Sequence, residues 1–366
     1  MASAPEDLRN LLDWRPRDGV LSVCIEIDPA DRGEGWRTDL RNHVADLARP
    51  DDHGARRALE ATVERLWNRF PDDSLPRGRT HVGFLEVAEK AGREEWTAAQ
   101  LRSGATRVWH ASRPVLEPLV ALLNEGPPHG VAAVSAERFR LWRWELGLME
   151  DVDSWELEIF EGDWRERKAP RPADPSRVQG AASSGRDQYA QRLEHNRERF
   201  LKQAGALAAQ RLSGVPVLAF GDAEHVGEFA TGGGDRVIHA GEQNLISAPL
   251  EEVEEQVGAV IEQRSREQGR ELVERVRNEA AGGVRAAVGA EETMQALGEG
   301  RVEHLVYDPG VAFEPQVADF GDVDEVPARE RMIELAIATS ARISPVGGAA
   351  EAGLGEAGGV AALLRY

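Results

Sequence analysis

Ser183-Ser184-Gly185-Arg186-Asp187-Gln188 is the stretch of this chain whose residue types come closest to a working tip. Glycine lets a backbone approach a surface that a side chain would block. Arginine pairs with phosphate, and glutamine offers both a donor and an acceptor without charge. Upstream, residues 164–184 hold Arg, Lys, Pro, Ala, Gly and Ser with hardly any large apolar side chain, a composition that reads as mobile. Downstream, Tyr189, Leu193, Phe200, Leu201, Ala204, Leu207, Ala208 and Leu212 recur at helical spacing and predict one apolar face. Arg186, Arg192, Arg197, Arg199 and Lys202 load the same helix with positive charge. A Gly/Gln loop on a basic helix suits a polyanionic partner.

Other constellations read as structural. Cys24 is the single cysteine and lies in the apolar run Val20-Leu21-Ser22-Val23-Cys24-Ile25, so a buried thiol is expected and an internal disulfide is excluded. The nine histidines are scattered and show no zinc spacing, and no metal or other cofactor is expected. Two-metal hydrolysis needs carboxylates on neighbouring strand ends. The strand predicted at 131–135 has none, and Asp222 reads as a helix N-cap. Gly232-Gly233-Gly234 lies between a helix and a strand, the reverse of a phosphate cradle, and is expected to be a turn. Trp142 and Trp144 alternate along a strand and read as core.

The chain has 366 residues and a net charge of −20, which by itself argues against nucleic acid. The distribution changes that. Between Gly162 and Lys202 ten Lys and Arg face six Asp and Glu, a local +4 that leaves −24 on the rest. An acidic body with one basic arm resists non-specific sticking while the arm can still neutralise a few phosphates. No apolar run reaches membrane-span length and no secretory leader is read, so a cytoplasmic protein without membrane or DNA partners is expected.

The elements that must position the arm fall into three segments. Over 1–125 the pattern predicts strands at 20–27, 80–88, 96–101 and 106–110, with a helix at 55–70 and another opened by Arg113-Pro114. Over 126–262 it predicts a meander at 131–135, 139–146 and 154–158. The basic helix follows, then a strand at 215–220, a helix through Val226 and Phe229, and a strand at 236–240. A long helix over 250–277, with a charged stretch near 263–270, bridges to 263–366. There helices at 291–297 and 327–338 alternate with strands at 302–307, 342–346 and 360–365, and 347–359 reads as a loop. The fold class is mixed α/β (α+β) in three domains.

The order of these segments resembles the archaeo-eukaryotic class I release factor superfamily, in its bacterial members. The resemblance rests on the strand–turn–strand of residues 131–141, the Gly/Gln loop before a basic helix, and the run Gly358-Gly359-Val360-Ala361-Ala362-Leu363-Leu364-Arg365-Tyr366 with Met332–Ala336 and Ala341–Val346 before it. It implies a ribonuclease-H-like middle domain and an L7Ae-like C-terminal α/β sandwich. In the family a Gly-Gly-Gln tip enters the peptidyl transferase centre, where the glutamine helps place water on the peptidyl-tRNA ester.

Here Gly185 and Gln188 stand at that position, but Asp187 replaces the glycine before the glutamine and a residue intervenes, which argues against efficient hydrolysis. The Asn-Ile-Lys-Ser stretch of stop-codon readers is missing from this sequence. The resemblance therefore implies a translation factor of hibernation or rescue type. It would bind the ribosomal A site and ribosomal RNA through Arg186, Arg192, Arg197, Arg199 and Lys202, with a translational GTPase as a further partner. Two alternatives stay open: a rescue peptidyl-tRNA hydrolase with Gln188 and Gly185 as catalytic residues, and a non-ribosomal protein whose acidic surface meets a basic partner.

Overall fold

The structure is a computed structural model that describes residues 5–28, 35–71, 76–102, 104–157, 181–283, 285–311, 328–347 and 351–366. The chain divides into two compact units, one of residues 128–260 and one of residues 1–127 with 261–366. Three sheets are present among the described residues, one in the middle unit and two in the other. No helix among the described residues is long and apolar enough to cross a membrane.

The first sheet has the order β3-β2-β1-β4, all antiparallel, from β1 (Val20–Glu26), β2 (Thr80–Glu86), β3 (Glu94–Ala99) and β4 (Arg107–Ala111). β1 lies at the centre and is buried almost throughout, Cys24 included, as an uninterrupted apolar run requires. Helices α2 (Gly35–Ala45) and α3 (His53–Arg69) cover it through Trp36, Leu40, Leu59 and Leu66. Phe70 meets both Trp36 and Trp96 edge-on at 5.6 and 5.5 Å. Two further helices belong to this segment, α1 (Pro5–Leu12) and α4 (Glu117–Glu125).

The middle unit holds a five-stranded sheet of order β7-β6-β5-β8-β9. β5 (His129–Val134), β6 (Arg138–Glu145) and β7 (Leu148–Glu156) form an antiparallel meander. β8 (Val217–Phe220) and β9 (Val237–Gly241) continue parallel to β5 on its other side, the strand order of a ribonuclease-H-like domain. β5, β6 and β8 are inner strands, which explains why Trp142 and Trp144 are both core residues. β7 begins six residues before the strand expected at 154–158. Its Glu150, Asp151 and Glu156 side chains are exposed along a sheet edge, so no apolar pattern announces it.

Two helices lie on that sheet, α5 (Ala181–Arg211) and α6 (Ala223–Gly233), and their backbones come close. A Cβ on Gly205 would sit 1.9 Å from the Phe229 carbonyl oxygen, and one on Gly232 would sit 1.9 Å from that of Lys202. The three glycines expected to be only a turn therefore do two jobs. Gly232 and Gly233 are the last turn of α6 and let α5 approach, while Gly234, at φ +74°, ends the helix. Asp222 caps α6 as expected, its Oδ1 accepting the Glu224 N–H at 2.9 Å.

α7 (Leu250–Ala281) runs across the boundary between the units at 260/261. Val253, Val257 and Ile261 are buried at one end and Val273 and Val276 at the other, with no buried residue between Ile261 and Val273. The last sheet has the order β10-β13-β11-β12, from β10 (Ala286–Val288), β11 (Val302–Tyr307), β12 (Arg342–Pro345) and β13 (Val360–Leu364). β11 and β12 are parallel, and β13 is antiparallel to both its neighbours. Helices α8 (Ala290–Gly298) and α9 (Ala328–Ala338) pack in the same region. A short helix α10 (Glu351–Gly355) occupies part of the stretch expected to be loop, with Leu354 in the core.

Candidate nucleic-acid interface

α5 decides what the expected tip looks like. The helix starts at Ala181, so Ser183, Ser184, Gly185, Arg186, Asp187 and Gln188 lie inside it and not in a loop ahead of it. The correction has a local reason: Ala181, Ala182, Arg186, Gln188 and Ala190 are good helix formers, and Gly185 alone does not outweigh them. The side chains of residues 181–190, and so those of Arg186 and Gln188, lie outside the described residues, as does the segment 158–180 whose composition reads as mobile.

From residue 191 onward the helix shows two faces. Phe200, Leu201, Ala204, Ala208 and Leu212 are buried against Val134, Phe139, Val217, Ala219 and Phe229, the apolar face that the spacing predicted. The opposite stripe carries Arg192, His195, Asn196, Arg199 and Gln203, all exposed. Counted from Arg192 they lie three, four, seven and eleven residues along, so their side chains line one side of the cylinder. Arg192 and Arg199 are about 10 Å apart along the axis, from the rise of about 1.5 Å per residue. Gln191, Arg192, His195 and Asn196 border a shallow depression.

The four cations assigned to this helix beyond residue 190 therefore separate into two pairs. Arg197 is turned toward the meander, where its guanidinium holds Glu137 at 2.5 Å and Glu194 at 3.9 Å. Lys202 holds Glu228 of α6 at 3.1 Å. Both bind α5 to its own domain. Arg192 and Arg199 have no ion-pair partner among the described residues. His195 and Asn196 were not singled out from the sequence, although the period of three and four from Arg192 points to them.

Four further arginines of this unit are paired along the sheet: Arg138 with Glu156, Arg140 with Asp151, Arg143 with Glu145, and Arg211 with Asp153. Arg140 also stacks over Trp142, 4.6 Å from the ring centre. β5 carries no carboxylate, and among the described residues no group of three or more His, Cys, Asp or Glu is placed to hold a metal ion.

Among known proteins, the model of bacterial archaeo-eukaryotic release factor family 10 matches residues 114–231. No curated protein matches the chain. Among solved structures, Dom34 of S. cerevisiae, a translation termination-like factor, aligns over 100% of this chain and 94% of its own at 9% identity and a TM-score of 0.42. Archaeal Pelota, from a model of ribosome-bound Pelota and ABCE1, aligns over 100% and 95% at 11% identity and 0.40. The archaeal translation termination factor aRF1 aligns over 98% and 96% at 18% identity and 0.25. The family match covers roughly a third of the chain, from just before α4 to α6, and contains the whole of α5. Over that segment, 114–231, the chain is similar to bacterial archaeo-eukaryotic release factor family 10.

Proposed function

We propose that this protein is a ribosome-associated translation factor of the release-factor superfamily, one that occupies the A site without decoding stop codons. α5 meets ribosomal RNA near the peptidyl transferase centre. The observation that carries the reading is the outer stripe of α5: two exposed guanidiniums, at Arg192 and Arg199, without carboxylate partners among the described residues, in a chain of net charge −20. Guanidinium groups set at helical spacing contact backbone phosphates and fix register, while His195 and Asn196 between them offer hydrogen bonds to sugars and bases. The family match over the same helix supports the assignment to translation.

The proposal keeps the domain limits 1–125, 126–262 and 263–366, an L7Ae-like last domain, and a translational GTPase as a further partner. It is of hibernation type and not hydrolytic. A continuous helix through Gly185 and Gln188 offers no irregular backbone of the sort a water-placing tip uses.

Co-sedimentation with vacant and with peptidyl-tRNA-loaded 70S ribosomes, reading peptide release from the same tubes, tests it. Binding without release is expected, weakening with salt at a slope of about 1.4–1.8 in log K against log salt if two phosphates are neutralised. Release abolished by Gln188→Ala would move the protein to the rescue hydrolases. Absence of binding at low salt would leave the acidic-surface reading.

A further inference from the structure

The N-terminus of α4 is capped by a residue from far along the chain. Leu116 and Glu117 donate their backbone N–H groups to the two carboxyl oxygens of Glu330, at 2.6 and 2.9 Å, across 214 and 213 positions of sequence. Leu116, at the N-cap position, has no side chain able to do this and makes no capping bond of its own. Glu330 sits in the first turn of α9 and is fully buried. Two ion pairs flank it. Arg113, just before α4, holds Glu334 one turn further along α9, and Arg331 holds the other oxygen of Glu334 at 2.9 Å. Arg329 holds Glu117 at 2.6 Å and also reaches the Pro309 carbonyl oxygen at 2.9 Å and that of Val311. Arg9 of α1 reaches the Ser340 hydroxyl beyond the end of α9. Each of these bonds, apart from those of Arg331 and from Arg329 to the carbonyls, joins the first segment to the third.

We infer that this cluster is a latch: Glu330, flanked by Arg113–Glu334 and Glu117–Arg329, makes the first and third segments one cooperative body, so that neither keeps its native ends without the other. The reasoning is one of unmet groups. Without α9, the buried end of α4 has two amide donors with no acceptor, and without α4 the Glu330 carboxyl is buried with nothing to accept. Neither half is complete, and the cost of separation falls on both.

Burial raises the Glu330 carboxyl to about 8, the neighbouring charges of Glu334 and Glu117 add to the rise, and the two amide donors oppose it. Arg113, Arg329, Arg331 and the buried Tyr307 hydroxyl are further ionisable groups of the cluster, and Arg15 feels the charges of Arg113, Glu334 and Arg331. A neutral carboxyl still accepts both amide bonds.

Native-state hydrogen exchange on the full chain, read by segment, tests the inference. In Glu330→Ala, amides of α4 are expected to exchange at least tenfold faster, those of α9 and β11 to accelerate by the same factor, and those of 128–260 to stay unchanged. Acceleration confined to α4, or none at all, would overturn it, since Glu330 would then be a local cap only. If Glu330→Ala does not fold, the Arg113→Gln and Glu334→Gln variants and their double form a thermal cycle. Shifts in melting temperature that are clearly non-additive are expected, and additive shifts would overturn the latch.

Discussion

The outer stripe of α5 and the cluster around Glu330 use the same residue types for opposite ends. On α5, Arg192 and Arg199 stand in solvent without carboxylates to hold them among the described residues, and their neighbours His195, Asn196 and Gln203 are also exposed. Around Glu330, each carboxyl group has a named donor: Glu330 two amides, and the charged Glu334 two arginines and Glu117 one. Charge left in water costs little and stays available to a partner. Charge taken out of water must be matched, and once matched it punishes any change. Arg197 and Lys202 lie between these limits: they are on the basic helix but spent on Glu137 and Glu228.

The sharpest way to break the comparison is to unmatch the buried side. Glu334→Ala leaves Arg113 and Arg331 facing a gap and should lower the stability of the terminal unit by about 3 kcal/mol, read by denaturant unfolding. A loss below about 0.5 kcal/mol would put the cluster on a par with exposed pairs. Next comes packing in the middle unit. Gly205→Ala drives a Cβ into the Phe229 carbonyl and should cost about 2 kcal/mol, while Gly258→Ala, with open space around it on α7, should be neutral or stabilising by about 0.5 kcal/mol.

A titration follows. The folded-state value of Glu330 lies above its ordinary one, so the folded protein holds this proton more tightly than the unfolded chain. The contribution is fully present below about 4.5 and is lost as pH rises through about 8. The wild type should lose stability across that window relative to Glu330→Gln, which has no such proton, as followed by melting temperature against pH.

On the exposed side the effect is on binding. Arg192→Ala with Arg199→Ala should remove about 1.4–1.8 from the salt slope of ribosome association, whereas Arg197→Ala or Lys202→Ala should leave that slope in place. The smallest effect sharpens the contrast: Arg192→Ala and Arg199→Ala should each change the unfolding free energy by less than about 0.5 kcal/mol.

Much of this was legible in the sequence wherever the signal is local. Helical spacing from Phe200 to Leu212 marked the buried face of α5, the apolar run at Val20 marked the central strand β1, and Asp222 announced its own helix. Elements whose stability comes from pairing gave little sign. β10 is three residues held by β13, β7 is an acidic edge held by β6, and α1 is eight residues packed beside α9. The start of α5 was misplaced because a Ser-Ser-Gly stretch reads as loop, although its neighbours favour helix.

The sequence by itself determined the apolar faces, the placing of positive charge on α5 and the excess of negative charge elsewhere, because each depends on residues a few positions apart. Only the tertiary structure decided which charges remain available. That Arg197 meets Glu137, that Lys202 meets Glu228, and that Glu330 caps a helix 213 positions away are facts of distance in space. A carboxylate acquires its role from the donors the fold brings to it, and no local pattern along the chain encodes those donors.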